Sequence, residues 1–118
     1  MPGHVLPNYY CVAPTGAQAL QLGSDLIGFG KTIVTGGTIN KRHAGSCAAS
    51  LFVWGTDKLP DDELIAAKAA AKSTDIAQSV FECEAELAAK GVHAGGDLAA
   101  FDWKKWITLA LQILALVS

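Results

Sequence analysis

Glycine recurs at every seventh position over one stretch of the chain, at Gly16, Gly23, Gly30 and Gly37. At about 100° per residue a seven-residue repeat drifts by only about 20° per cycle, so on a helix these four glycines share a face. Ala19, Leu26 and Ile33 flank them on one side and Leu20, Ile27 and Val34 on the other, while Gln18, Asp25 and Thr32 collect opposite, with Gln21 and Thr35 beside them. The expected element is a glycine-rich helix with a smooth small-and-aliphatic face and a polar back. Glycine opposes a helix by roughly 1 kcal/mol at each interior position, so Gly23, Gly28, Gly30 and Gly36 require compensation. Close approach to another helix supplies it. A β-hairpin is the competing reading, with strands at 32–35 and 38–40, rich in β-branched residues, around a Gly36-Gly37 turn. It leaves the seven-residue spacing as coincidence, and its second strand is very short.

The same stretch contains Gly30-Lys31-Thr32, the end of a phosphate-binding G-x-x-x-x-G-K-[ST] loop. Asp25 stands where that loop needs its first glycine, and its carboxylate would repel the phosphates. No buried strand precedes it, since 16–22 holds two glutamines and no β-branched residue. No nucleotide is expected.

Around this segment, 1–15 carries Pro2, Pro7 and Pro14 and reads as an extended proline-rich arm. After Asn40-Lys41-Arg42-His43, residues 44–54 are small at the start and bulky at the end, suited to returning antiparallel against the glycine face. Leu59-Pro60-Asp61-Asp62-Glu63 marks the positive end of a helix expected to run over 60–90. Ile65, Ala69, Ile76, Val80, Cys83 and Leu87 follow the 3.6 period as its buried side, with Lys72 as the exception. At about 1.5 Å per residue it would reach roughly 45 Å, and Lys72-Ser73-Thr74-Asp75 is where a break would fall. Residues 98–117 read as an apolar C-terminal helix with Asp97 or Asp102 as N-cap. Lys104, Thr108 and Gln112 place a narrow polar stripe along it, and Trp103, Trp106, Leu109, Leu111, Ile113, Leu114 and Leu116 cover nearly everything else. The fold class is therefore mainly α, in a single small domain over 1–118 made of the arm and a helical body at 16–117.

Local chemistry is sparse. His43 and Cys47 are four apart, the minimum for an activated thiolate, but no third residue orients them, and a structural cysteine beside a loop histidine is the simpler reading. Ser46 completes no G-x-S-x-G, because Gly45 directly precedes it. His4, His43 and His93 show no metal-ligand spacing. Catalytic, cofactor and metal residues are accordingly assigned to none. Cys11, Cys47 and Cys83 form no CxxC pair and leave an odd one over, which suits a reducing compartment or a virion, and no secretory signal is visible.

The functional expectation comes from surface chemistry. Charged residues make up 17% of the 118 residues and apolar ones 51%, against roughly 25% charged in ordinary soluble domains. A net charge of −2, with basic clusters only at 41–43 and 104–105, is too little to neutralise nucleic-acid phosphates. The expected role is a non-enzymatic structural subunit packed in a larger assembly, a virion component or an accessory subunit of a large complex. Its partners are other protein subunits, in a homo- or hetero-oligomer. The interaction residues expected are Gly16, Gly23, Gly30 and Gly37 on the glycine face, with Trp103, Trp106, Leu109, Ile113 and Leu116 on the C-terminal helix. The alternatives are a small membrane-embedded or membrane-surface protein, since Trp103-Lys104-Lys105-Trp106 has the composition of an interfacial anchor, and a small soluble enzyme or ligand-binding domain whose site is assembled from distant residues.

Overall fold

The computed structural model describes residues 16–91 and 102–117, so the proline-rich arm at 1–15 and the start of the segment at 98–117 lie outside the described residues. The described chain is mainly helical, with five α-helices and no strand: α1 (Gly16–Val34), α2 (Lys41–Thr56), α3 (Asp61–Ser73), α4 (Ile76–Glu86) and α5 (Trp103–Val117). A single π-helical turn, Leu87–Gly91, continues α4.

The stop signal of α1 is the Gly36-Gly37 pair. Gly36 adopts φ 81° and donates its N–H to the Ile33 carbonyl at 3.1 Å, while Gly37 donates to Thr32 at 2.8 Å. These two bonds are the paired closure of a helix end on a left-handed glycine. The two glycines therefore terminate a helix and do not turn a hairpin, and 32–34 is helical. Asn40 then caps α2, its side chain accepting from the His43 N–H at 3.0 Å.

The region expected as one long helix over 60–90 is two. Thr74 is extended, at φ −105° and ψ 140°, and the Asp75 carboxylate accepts from Ala77 N–H at 3.3 Å, capping α4. The break shifts the helical phase, which corrects the expected buried face. Val80 and Cys83 are buried as expected, but Ile65 is 66% exposed and Ala69 is exposed, while Ala67 is fully buried. An alanine-rich helix has no strong apolar stripe of its own, and its partner decides which side turns inward.

That partner is α5, the centre of the bundle. Trp103, Trp106, Ile107, Leu109, Ala110 and Ile113 are all buried in the core. Helix α2 packs antiparallel to α5 through its small residues: a β-carbon at Gly45 would lie 3.3 Å from Val117, and one at Gly55 would strike Ile107 and lie 3.1 Å from Trp103. Helix α3 runs in the same sense as α5, joined by the polar stripe. The Gln112 amide donates to the Thr74 carbonyl at 2.7 Å and reaches Ala71 O at 3.5 Å, and Thr108 Oγ1 reaches Ala67 O at 3.5 Å. Thr108 and Gln112 are thus buried, and the stripe seats α3. Carbonyls in the last turn of a helix lack intrahelical donors, and Gln112 supplies one. Helix α4 runs antiparallel to α5, with the buried Glu86 carboxylate accepting from Asp102 N–H at 2.8 Å.

Candidate functional site

The glycine face meets its own chain. A β-carbon at Gly23 would lie 3.1 Å from the Trp106 ring, and one at Gly30 would collide with Val80 and sit 3.8 Å from Leu109. Gly16 opens α1, and Gly37 lies beyond its end, against Thr32. Gly23 and Gly30 therefore do mark close approach, between α1 and the α4–α5 pair. Trp103, Trp106, Leu109 and Ile113 are at most 5% exposed within this one chain. Of the five residues expected to meet a partner along the C-terminal helix, four are enclosed by the chain's own helices, and Leu116, 52% exposed, is the one a partner would touch.

The residues of the phosphate-loop pattern are helical from Asp25 to Thr32, so the backbone N–H groups that would wrap a phosphate serve i to i−4 bonds instead. Lys31 is paired with Glu84 on α4. Asp25 is half-buried and accepts from the Gln21 amide at 2.9 Å, as the polar back of α1 requires.

Cys47 is turned into the core, whereas His43 is exposed, its ring edge-on to Phe29 with centroids 5.2 Å apart. Burial, with the Asp25 charge adding, pushes the Cys47 thiol up to about 11. Burial also pushes Cys83 above the ordinary thiol value, the Glu82 carboxylate adding, and its sulfur contacts the Lys105 carbonyl at 3.5 Å. Both are free, protonated thiols at neutral pH, and the thiolate is the nucleophilic form. Cys11, His4 and His93 lie outside the described residues. Among the described residues no three His, Cys, Asp or Glu side chains gather to hold a metal ion. No described helix is long and apolar enough to cross a membrane.

Two features remain that could engage another molecule. One is a set of large apolar side chains outside the core: Ile65 and Phe81, each 66% exposed, Leu116 at 52% and Val34 at 46%. Phe81 stands one turn before Glu84, the partner of Lys31, on α4. Val34 and Leu116 close α1 and α5 at the same end of the bundle, because the two helices run in the same sense. The other feature is a cleft of about 320 Å3 between α3, α4 and α5. Ala66, Ala70 and Thr74 form one wall, Ser79 and Glu82 the second, and Asp102, Lys104, Lys105 and Thr108 the third.

The cleft was not legible in the sequence. Its residues come from three helices up to 42 positions apart, from Ala66 to Thr108, and only the i, i+4 spacing of Lys104 and Thr108 on one face of α5 pointed toward it. No protein-family model, curated protein or solved structure matches this chain.

Proposed function

We propose that the protein is a non-enzymatic structural subunit that packs against other protein chains in a larger assembly, of the kind a virion or a multi-subunit complex provides. The observation that carries this reading is the exposure of Phe81, Ile65, Leu116 and Val34 on a bundle whose core is closed without them. A large apolar side chain contributes roughly 1.5–3 kcal/mol on full burial, and these four leave 46–66% of their surface unburied within the isolated chain. A neighbouring subunit recovers that term. The contact surface proposed is the outer face of α4 around Phe81, the outer face of α3 around Ile65, and the end of the bundle where Val34 and Leu116 lie.

A second reading, a small ligand-binding domain, is favoured by the cleft between α3, α4 and α5. Native size separates the two. In extracts of its natural source made without denaturant, the chain is expected to elute far above its 12.3 kDa monomer mass. Phe81→Ser combined with Leu116→Ser should return it to monomer while leaving its thermal melt nearly unchanged, because neither side chain is core. A native monomer of 12.3 kDa would contradict the subunit reading and leave the ligand-binding domain.

A further inference from the structure

The outer face of α3 carries charges arranged to complement a copy of themselves. Ile65 at its centre is 66% exposed, and Asp61, Asp62, Ala66, Lys68, Ala69 and Lys72 around it are exposed too, while Ala67 on the opposite side is fully buried. At about 100° per residue, Asp61, Lys68 and Lys72 fall on one flank, within about 60° of Ile65, and Asp62, Ala66 and Ala69 fall on the other. None of these four charged side chains has an ion pair among the described residues.

Local helix chemistry explains part of this pattern. Acids in the first turn and Lys72 in the last suit the helix dipole. The dipole does not explain Lys68, which stands mid-helix, or the exposed Ile65. Lys68 and Lys72 are four apart on one flank, a like-charge spacing that opposes a helix. A carboxylate facing that flank would offset it, and the acids of α3 are too far along the same rigid helix to do so. A second copy can supply one. When two copies of α3 pack antiparallel about a two-fold axis beside Ile65, each flank meets the same flank of the other helix. At about 1.5 Å per residue, Asp61 lies about 6 Å before the axis and Lys68 about 4.5 Å after it. Each Asp61 therefore comes nearly level with the second copy's Lys68, Ile65 meets Ile65, and Ala66 and Ala69 let the helices approach. The ion pair forms twice, because a two-fold interface is self-complementary. A parallel arrangement would instead set Asp61 against Asp61 and Lys68 against Lys68.

We infer that α3 pairs antiparallel with α3 of a second copy of this chain, with Ile65 on Ile65 at the axis and Asp61 on the second copy's Lys68 to either side. This rests on the subunit reading above and names the partner at one of its surfaces. With 13 residues, α3 is about 20 Å long, and a contact through it alone is small beside the roughly 1,200–2,000 Å2 of stable interfaces. The dimer of isolated chains is therefore weak and salt-dependent, and further subunit contacts strengthen it in the assembly.

Sedimentation equilibrium of the full-length chain at low and high salt, up to about millimolar concentration, tests it. The expected result is a reversible equilibrium between the 12.3 kDa monomer and a dimer, tightening as salt is lowered. Asp61→Lys and Lys68→Asp should each weaken self-association about tenfold, because both ion pairs of the dimer turn from attractive to repulsive. Mixed in equal amounts, the two variants should pair with each other about as tightly as the natural chain does, because each altered charge then meets an opposite one. Ile65→Ser should weaken the dimer while its thermal melt stays near that of the natural chain. The inference is overturned if the isolated chain is monomeric throughout, if Ile65→Ser dimerises as the natural chain does, or if the mixture associates no more tightly than either variant alone. A chain that is monomeric when isolated but large in native extracts overturns this inference and leaves the subunit reading standing.

Discussion

Gly28 and Gly30 are two positions apart on α1, and a methyl group added to each meets opposite surroundings. A β-carbon at Gly28 has nothing within 4 Å, whereas one at Gly30 collides with a Val80 methyl. Gly28→Ala should stabilise the fold by up to about 1 kcal/mol, the helix-propensity gain with no steric cost. Gly30→Ala receives the same gain but must displace a β-branched side chain with one preferred rotamer, at a typical overpacking cost of about 1–3 kcal/mol. Urea denaturation of both variants is expected to give a higher midpoint for the first and a lower one for the second. A rise in both would mean that α1 and α4 are not in close contact. The seven-residue spacing made the existence of this seam legible at Gly23 and Gly30. It did not reveal what fills the seam, because glycine spacing specifies where a helix is thin and carries no information about the neighbour. The neighbours are Trp106, Val80 and Leu109 of the same chain. Gly37, the last of the series, was legible as glycine for a different reason, since it closes the Schellman end of α1 against Thr32.

Among the elements, the division between α3 and α4 rests on Asp75. Its carboxylate caps α4, and its own backbone is extended, at φ −67° and ψ 138°. Asp75→Ala removes the cap at an expected cost of about 1 kcal/mol. Because Gln112 also holds the end of α3 through the Thr74 carbonyl, the two helices should stay separate. The far-ultraviolet circular dichroism of the variant is therefore expected to show no gain in helix, together with a lowered melting temperature. More helix and a higher melting temperature would instead mean that one continuous helix is preferred. Helix signals at Pro60 and the three acids after it were legible because dipole and capping chemistry is local. The buried face was not, because the period was read across a break that shifts its phase. The polar stripe of α5 was legible as a stripe and not as a contact. Thr108 and Gln112 bond to backbone carbonyls of α3, and any helix has carbonyls, so nothing in the sequence of α3 announces them.

At the scale of the whole molecule, the mainly α class followed from amphipathic spacing and helix-start signals, but the arrangement did not. The most apolar helix was expected to carry attachment to a partner, since so much apolar surface suggests an outside neighbour. The bundle resolves this internally by wrapping α1, α2, α3 and α4 around α5, and small residues such as Ala44, Ala48 and Gly55 let α2 come near enough to cover it. What remains for other chains is a smaller set of side chains on outer faces and at one end. The candidate cleft belongs to this scale too, since three helices must be placed before Ala66, Glu82 and Lys104 line one space. On the proposed function, the core packs within one chain while Phe81, Ile65 and Leu116 are covered by neighbouring subunits. Hydroxyl-radical footprinting of the isolated chain and of its native assembly, read by mass spectrometry, tests it most directly. Phe81, Ile65 and Leu116 are expected to be oxidised in the isolated chain and protected in the assembly, while Trp103 and Trp106 are protected in both. Equal oxidation of Phe81, Ile65 and Leu116 in the two samples, or tryptophans protected only in the assembly, would contradict it.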